Sequence, residues 1–202
     1  MKKLAINGGY PLNGSIKISG AKNAALPMMT ASILSDHNIM LNGVPDLADV
    51  KTMITLLESM GIETNKNQKG SLTLNASGID SRFASYELVK TMRASIMVLG
   101  PLLAKYGEAK VSLPGGCAIG ARPVDLHIQG LEKLGARIEI KDGYIMASAD
   151  RLIGSSYCFP KKSVTGTANI LMAATLAEGE TKIVNSACEP EIVQLGELLN
   201  AM

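Results

Sequence analysis

A supersecondary pattern returns about every seventy residues along this 202-residue chain, and that return constrains the fold more than any other feature. Each pass holds a helix of small apolar residues, a short strand, and a helix that is apolar on one face. Met60, Leu134 and Met202, which close the second kind of helix, lie 74 and 68 positions apart. Lys22 and Arg93, cations at the starts of the first kind, are 71 apart, and Ser163 follows 70 residues later. One unit used three times, each with a buried helix, a half-buried helix and strands, predicts an α/β domain with pseudo-threefold packing.

Two strands are expected first, at 4–6 and 15–18, around a glycine-rich connection. In the first unit a small-residue helix is expected over 24–34, with Pro27 in its first turn, where a missing N–H costs little. A strand at 38–41 follows, and Pro45-Asp46 starts a helix that lines up Val50, Met53, Ile54, Leu57 and Met60 before Gly61 ends it. A hairpin over 62–65 and 72–75 turns at Gln68-Lys69-Gly70. The second unit opens with a helix over 91–106, apolar nearly all round, which Gly100-Pro101 should bend or split. A strand at 109–113 leads to a glycine-rich loop and then a helix carrying Leu126, Ile128, Leu131 and Leu134. Asp142-Gly143 is a strong two-residue turn signal for a hairpin over 136–140 and 144–147. The third unit offers a helix over 167–177, a strand at 182–184, and a helix opened by Pro190 with Ile192, Leu195, Leu199 and Met202 on one face. It lacks the glycine and hairpin that close the first two, so it reads as shortened.

Composition excludes several classes. A net charge of +2 with scattered cations and 3% aromatic residues offers neither a basic face nor a stacking platform for nucleic acid. Cys117, Cys158 and Cys188 make an odd count without a CxxC pair, which fits reduced thiols in a cytoplasmic protein. Cys158 and Cys188 read as small core residues. With His37 and His127 added, no metal-ligand spacing emerges. Met1-Lys2-Lys3 precedes only three apolar residues, so no signal peptide is expected, and the run at 96–104 is too short to span a bilayer.

Two features carry chemistry. The stretch Leu113-Pro114-Gly115-Gly116-Cys117-Ala118-Ile119-Gly120-Ala121-Arg122-Pro123-Val124-Asp125 sets one thiol among three glycines and ends on a cation and a carboxylate. A thiol on a mobile loop beside a cation is where a cysteine becomes reactive, while a small apolar residue packed in a turn would give the same string. Lys22 and Arg93 stand in or before the first turns of two inner helices, and Lys161-Lys162 lies just ahead of the third. Cations there oppose the helix macrodipole by a few tenths to about 1 kcal/mol each, which points either to a held anion or to solvated surface charges. Asp125 and His127, on the helix after the loop, fit a polar site edge or plain capping and helix-surface polarity.

Ser19-Gly20-Ala21-Lys22-Asn23-Ala24-Ala25-Leu26-Pro27, Lys90-Thr91-Met92-Arg93-Ala94-Ser95 and the Cys117 stretch through His127 resemble the enolpyruvyl transferase family, closely so the UDP-N-acetylglucosamine 1-carboxyvinyltransferases. The likeness continues through Ala173-Ala174-Thr175-Leu176-Ala177-Glu178-Gly179 and Glu189-Pro190-Glu191-Ile192-Val193. The resemblance implies an inside-out α/β barrel domain of three repeated units. It assigns residues 1–20 to strands of a second domain and 21–202 to the cysteine-bearing domain. It implies transfer of enolpyruvate from phosphoenolpyruvate to the 3-hydroxyl of UDP-N-acetylglucosamine, with no metal or organic cofactor. The partners it implies are those two substrates and the C-terminal half of the same enzyme, with no nucleic acid and no membrane.

By motif, Lys22 and Asn23 would hold phosphoenolpyruvate, Arg93 would bind on the nucleotide-sugar side, and Cys117 would protonate the methylene carbon. Arg122 would contact substrate phosphate, and Arg122, Pro123, Val124, Asp125 and Leu126 would line the nucleotide-sugar pocket. Lys161, Lys162, Ser163 and Val164 match the segment that grips UDP, where Thr165-Gly166 replaces a shorter glycine pattern. Two other readings fit the same residues: a module that holds a phosphorylated ligand without turnover, and a shikimate-type enolpyruvyl transferase.

Overall fold

The computed structural model describes residues 3–67, 70–113 and 124–202. Helix α1 (Lys22–Ala31) runs into a 3-10 turn (Ser32–Leu34), then β1 (Ile39–Leu41), α2 (Ala48–Glu58), β2 (Glu63–Lys66) and β3 (Leu72–Asn75). Next come β4 (Phe83–Ala84), α3 (Tyr86–Val89), a 3-10 segment (Arg93–Val98), α4 (Leu99–Tyr106), β5 (Glu108–Ser112), α5 (Asp125–Lys133), β6 (Arg137–Lys141) and β7 (Tyr144–Ser148). The chain continues through β8 (Ser156–Cys158), α6 (Val164–Ala174), β9 (Lys182–Val184) and α7 (Pro190–Ala201).

Three sheets result, in the orders β1-β3-β2, β4-β5-β7-β6 and β8-β9. Both expected hairpins form: Lys66 pairs with Leu72, and Lys141 pairs with Tyr144. Asp142 and Gly143 take φ of 51° and 79°, the two positive values that a tight hairpin turn with the right twist demands. Leu72 and Leu74 alternate with Thr73 and Asn75, so β3 turns one apolar face into the core.

Helices α1, α4 and α6 fill the interior because small and apolar residues surround them. Met29, Leu99, Leu102, Ile170 and Met172 are fully buried. Helix α4 packs on α6, and α1 packs on α2, α6 and α7. Gly100 makes the α4–α6 approach possible, since a Cβ there would collide with the side-chain and backbone oxygens of Asn169. Helices α2 and α5 are half-buried, as their stripes predict: Val50, Met53, Leu57, Leu126, Leu131 and Leu134 face inward.

The structure corrects several expectations. No strand forms at 4–6 or 15–18; Leu4, Ile6, Leu12, Ile16 and Ile18 stand exposed, Leu12 at 99%. Two short strands without a third strand or a helix to cover them gain too little burial to hold. Helix α1 begins two residues early, on extended Ala21, so Pro27 lies in its second turn, where its missing N–H leaves the Asn23 carbonyl without that bond. Helix α2 begins at Ala48, after extended Leu47, with Asp46 outside it pairing with Lys51 and Lys66. The expected 91–106 helix is a 3-10 segment to Val98 and an α-helix from Leu99, which puts Pro101 third in α4, where no N–H is needed. Helix α6 begins three residues early because the Ser163 hydroxyl caps it, accepting from Gly166 N–H at 3.1 Å. Cys158 and Cys188 are exposed, not core residues: Cys158 lies on the outward side of the edge strand β8 and Cys188 in the approach to α7. Elements β4, α3 and β8 had no sequence expectation. Among the described residues, no helix is long and apolar enough to cross a membrane.

Candidate functional site

A cleft of about 660 Å³ opens where the starts of five helical elements converge. The first turn of α1 contributes Lys22 and Asn23, and the first turn of α2 contributes Asp49. The approach to the 3-10 segment brings Thr91 to Arg93, and α5 brings Leu126. Lys161, Lys162 and Ser163 enter just before α6, with Val164 and Thr165 in its first turn. Sequence positions far apart are thus gathered because α1, the 3-10 segment and α6 all begin at the same end of the fold.

The electrostatics favour an anion. Lys22, Arg93, Lys161 and Lys162 line the cleft, and Asp49 is the one carboxylate among its described lining residues. Lys22 Nζ lies 2.7 Å from Asp49 Oδ2, with side chains 42% and 38% exposed. A pair that open to water is held by well under about 1 kcal/mol, so an incoming phosphate can compete for the ammonium. Helix α1 has no side-chain cap at Ala21, which leaves its first N–H groups for solvent or a ligand. In α6 the first helical bond is Thr167 N–H to Ser163 C=O at 2.8 Å, so the N–H groups of Val164 and Thr165 precede the ladder.

The structure therefore places Lys22, Asn23, Arg93, Leu126, Lys161, Lys162, Ser163 and Val164 together on one cleft. Val124 packs partly against the core, and Asp125 opens α5 with its side chain exposed. Cys117, Arg122 and Pro123 lie outside the described residues, within the span 114–123. The described residues on either side of it are Leu113, just past the end of β5, and Val124, two positions before the cleft residue Leu126.

Behind the cleft lies a polar cluster that the sequence reading missed. His127 is 2% exposed, which rules out the helix-surface alternative among its two sequence readings, because α5 turns it toward α6. Asn169, fully buried on α6, accepts from Gly100 N–H at 2.7 Å and donates to the Ile96 carbonyl at 3.2 Å. Its amide nitrogen also stands 2.9 Å from His127 Nδ1, and His127 Nε2 stands 3.3 Å from Thr165 Oγ1. Burial, and then the Arg93 charge, hold the His127 pKa down at about 4, so the ring is neutral at pH 7. No motif marks this cluster in the sequence, since 42 positions separate His127 from Asn169. Asp49 had a weak local signal, an acid in the first turn of an amphipathic helix.

The family model described as EPSP synthase (3-phosphoshikimate 1-carboxyvinyltransferase) matches residues 6–202. A UDP-N-acetylglucosamine 1-carboxyvinyltransferase of Campylobacter hominis is 56% identical over 200 residues, 99% of this chain and 48% of that protein. Proteins of the same name from Hydrogenovibrio crunogenus and Coxiella burnetii are 54% and 56% identical across the whole chain, covering 48% and 47% of their own lengths. The chain thus spans about half the length of the curated relatives it matches. Among solved structures, the enolpyruvyl transferase NikO from Streptomyces tendae superposes with a TM-score of 0.80 at 17% identity, over 96% of this chain and 45% of that one. An EPSP synthase from Acinetobacter baumannii gives 0.72 at 19% identity, over 89% and 42%. The fold is that of the enolpyruvyl transferases, and the chain belongs to the EPSP synthase (3-phosphoshikimate 1-carboxyvinyltransferase) family.

Proposed function

We propose that this chain is the cysteine-bearing half of a cytoplasmic enzyme that moves enolpyruvate from phosphoenolpyruvate to the 3-hydroxyl of UDP-N-acetylglucosamine, releasing phosphate, in the first committed step of peptidoglycan precursor synthesis. The observation that carries the reading is the convergence of Lys22, Asn23, Arg93, Lys161 and Lys162 on one cleft, in a chain 54–56% identical to proteins of that activity. In this reading the domain is an inside-out barrel of three repeated units, with α1, α4 and α6 as the inner helices. Residues 1–20 belong with the second domain, and their exposed Leu4, Ile6, Ile16 and Ile18 are the surface it covers.

The chemistry follows from the residues. Lys22 exchanges Asp49 for the phosphate of phosphoenolpyruvate, with Asn23 beside it. Lys161, Lys162 and Ser163, with Val164 and the start of α6, hold the diphosphate of the sugar nucleotide. Arg93, Arg122, Pro123, Val124, Asp125 and Leu126 form the rest of the nucleotide-sugar pocket. Cys117 gives its proton to the methylene carbon of phosphoenolpyruvate, and the sugar hydroxyl bonds to the adjacent carbon as that carbon becomes cationic. Breaking of the bond to phosphate, with loss of one proton from the new methyl group, then restores the enol ether. A positioned acid of this kind is worth a factor of about 10² to 10⁴. The base that takes the hydroxyl proton lies in the other half, so the 202-residue chain alone should show no turnover above background.

Intact-mass analysis after exposure to fosfomycin, an epoxide that alkylates this family's loop thiol, tests the assignment. One adduct is expected, formed faster with UDP-N-acetylglucosamine than with shikimate 3-phosphate and abolished by Cys117→Ser. Labelling that ignores both nucleotide sugar and Cys117 would overturn it.

A further inference from the structure

Thr165 is not among the residues assigned above, yet it lines the cleft and touches the buried cluster behind it. The direction of its hydroxyl proton can be worked out from its neighbours. Gly100 N–H donates to one end of the Asn169 amide, which makes that end the oxygen. The other end is therefore the NH₂, and its two protons serve the Ile96 carbonyl and His127 Nδ1. Nδ1 must then be a bare acceptor. The neutral ring carries its proton on Nε2, which donates to Thr165 Oγ1. The hydroxyl is thus an acceptor toward the interior, and its own proton is left to point elsewhere. Thr165 is the second residue of α6, beside Lys161, Lys162 and Ser163, where the helix start and the cations favour negative charge.

We propose that the Thr165 hydroxyl is a further phosphate donor of this cleft, its proton aimed at the ligand because the His127–Asn169 pair occupies its acceptor side. His127 and Asn169 are positioning residues: they touch no ligand and fix the donor. The inference rests on the phosphate-binding reading of the cleft given above. The chemistry recognised is a phosphate oxygen, supplied by either a nucleoside diphosphate or phosphoenolpyruvate.

The test measures binding of UDP, phosphoenolpyruvate and uridine to the 202-residue chain and to Thr165→Val and Thr165→Ser, with melting curves confirming each fold. Thr165→Val should weaken UDP or phosphoenolpyruvate about tenfold, as loss of one hydrogen bond to a charged group does, and the ligand that weakens identifies the source. Thr165→Ser should restore binding, and uridine should be unaffected. Equal affinity of the valine variant for both phosphate ligands overturns the proposal, as does an equal loss of uridine. An independent readout is the long-range nitrogen–proton NMR spectrum of His127, in which Nε2 should carry the proton and Nδ1 none. The opposite tautomer overturns the proposal while leaving the cleft reading intact. A parent chain that binds neither UDP nor phosphoenolpyruvate overturns that reading, and this inference with it.

Discussion

Acidification should weaken this fold in a measurable part through one buried side chain, His127. Its folded pKa is about 4, held down first by burial and then by the Arg93 charge, against an ordinary value of 6.5. Between those values the unfolded chain takes a proton that the folded chain refuses. Stability therefore rises with pH across that window; the contribution is fully present above about 6.5 and is lost as pH falls toward 4. At roughly 1.4 kcal/mol per pH unit, the whole window is worth about 3 kcal/mol, and a shift from pH 8 to pH 5 removes about 2 kcal/mol of it. The assay is urea unfolding followed by far-UV circular dichroism, because the chain has no tryptophan. Other groups respond to pH as well, among them Asp36 and Asp46, whose lysine partners hold their carboxyls below the usual range, so the quantity to compare is the pH 8 to pH 5 loss in the parent and in His127→Gln. The glutamine can still accept from Asn169 but cannot bind the proton, so its loss should be smaller by about 2 kcal/mol. A variant whose loss matches the parent's to within about 0.5 kcal/mol would refute the reasoning.

Two further outcomes follow from geometry. Asn169→Leu strands the Gly100 N–H and His127 Nδ1 in the interior, while the Ile96 carbonyl keeps the Leu99 N–H, so the chain should lose about 3 kcal/mol. Urea midpoints check this, and a loss under about 1 kcal/mol would contradict the bonding described. In a Cys117→Ser chain, Cys158 and Cys188 should both react with a disulfide reagent at the speed of free thiols without denaturant, since both are exposed. Protection of either one would contradict its placement.

Local signals carried much of the architecture. The Asp142-Gly143 turn, the apolar stripes of α2 and α5 and the small-residue helices α1 and α6 were legible because each depends on neighbours within a few residues. Boundaries were less so: Ser163 caps α6 through an atom whose partner, Gly166 N–H, is not evident without the turn itself. Strand β4 is two residues long and exists because β5 lies parallel beside it, Phe83 opposite Lys110 and Ala84 opposite Val111. The strands expected at 4–6 and 15–18 have the right residue types but no surface to settle on among the described residues. At the site, Lys22, Arg93 and Lys161-Lys162 stood out because cations at helix starts run against the dipole. His127 and Asn169 did not, because a buried polar pair is defined by who meets whom across α5 and α6.

The contact between Gly100 and Asn169 makes two distant positions a single unit of variation. A substituent at 100 needs the space now filled by the amide, and the amide at 169 needs the bare N–H that only a close backbone can present. Related chains should therefore exchange both residues together or keep both, and a chimera that takes one from each parent inherits a clash or an orphaned amide.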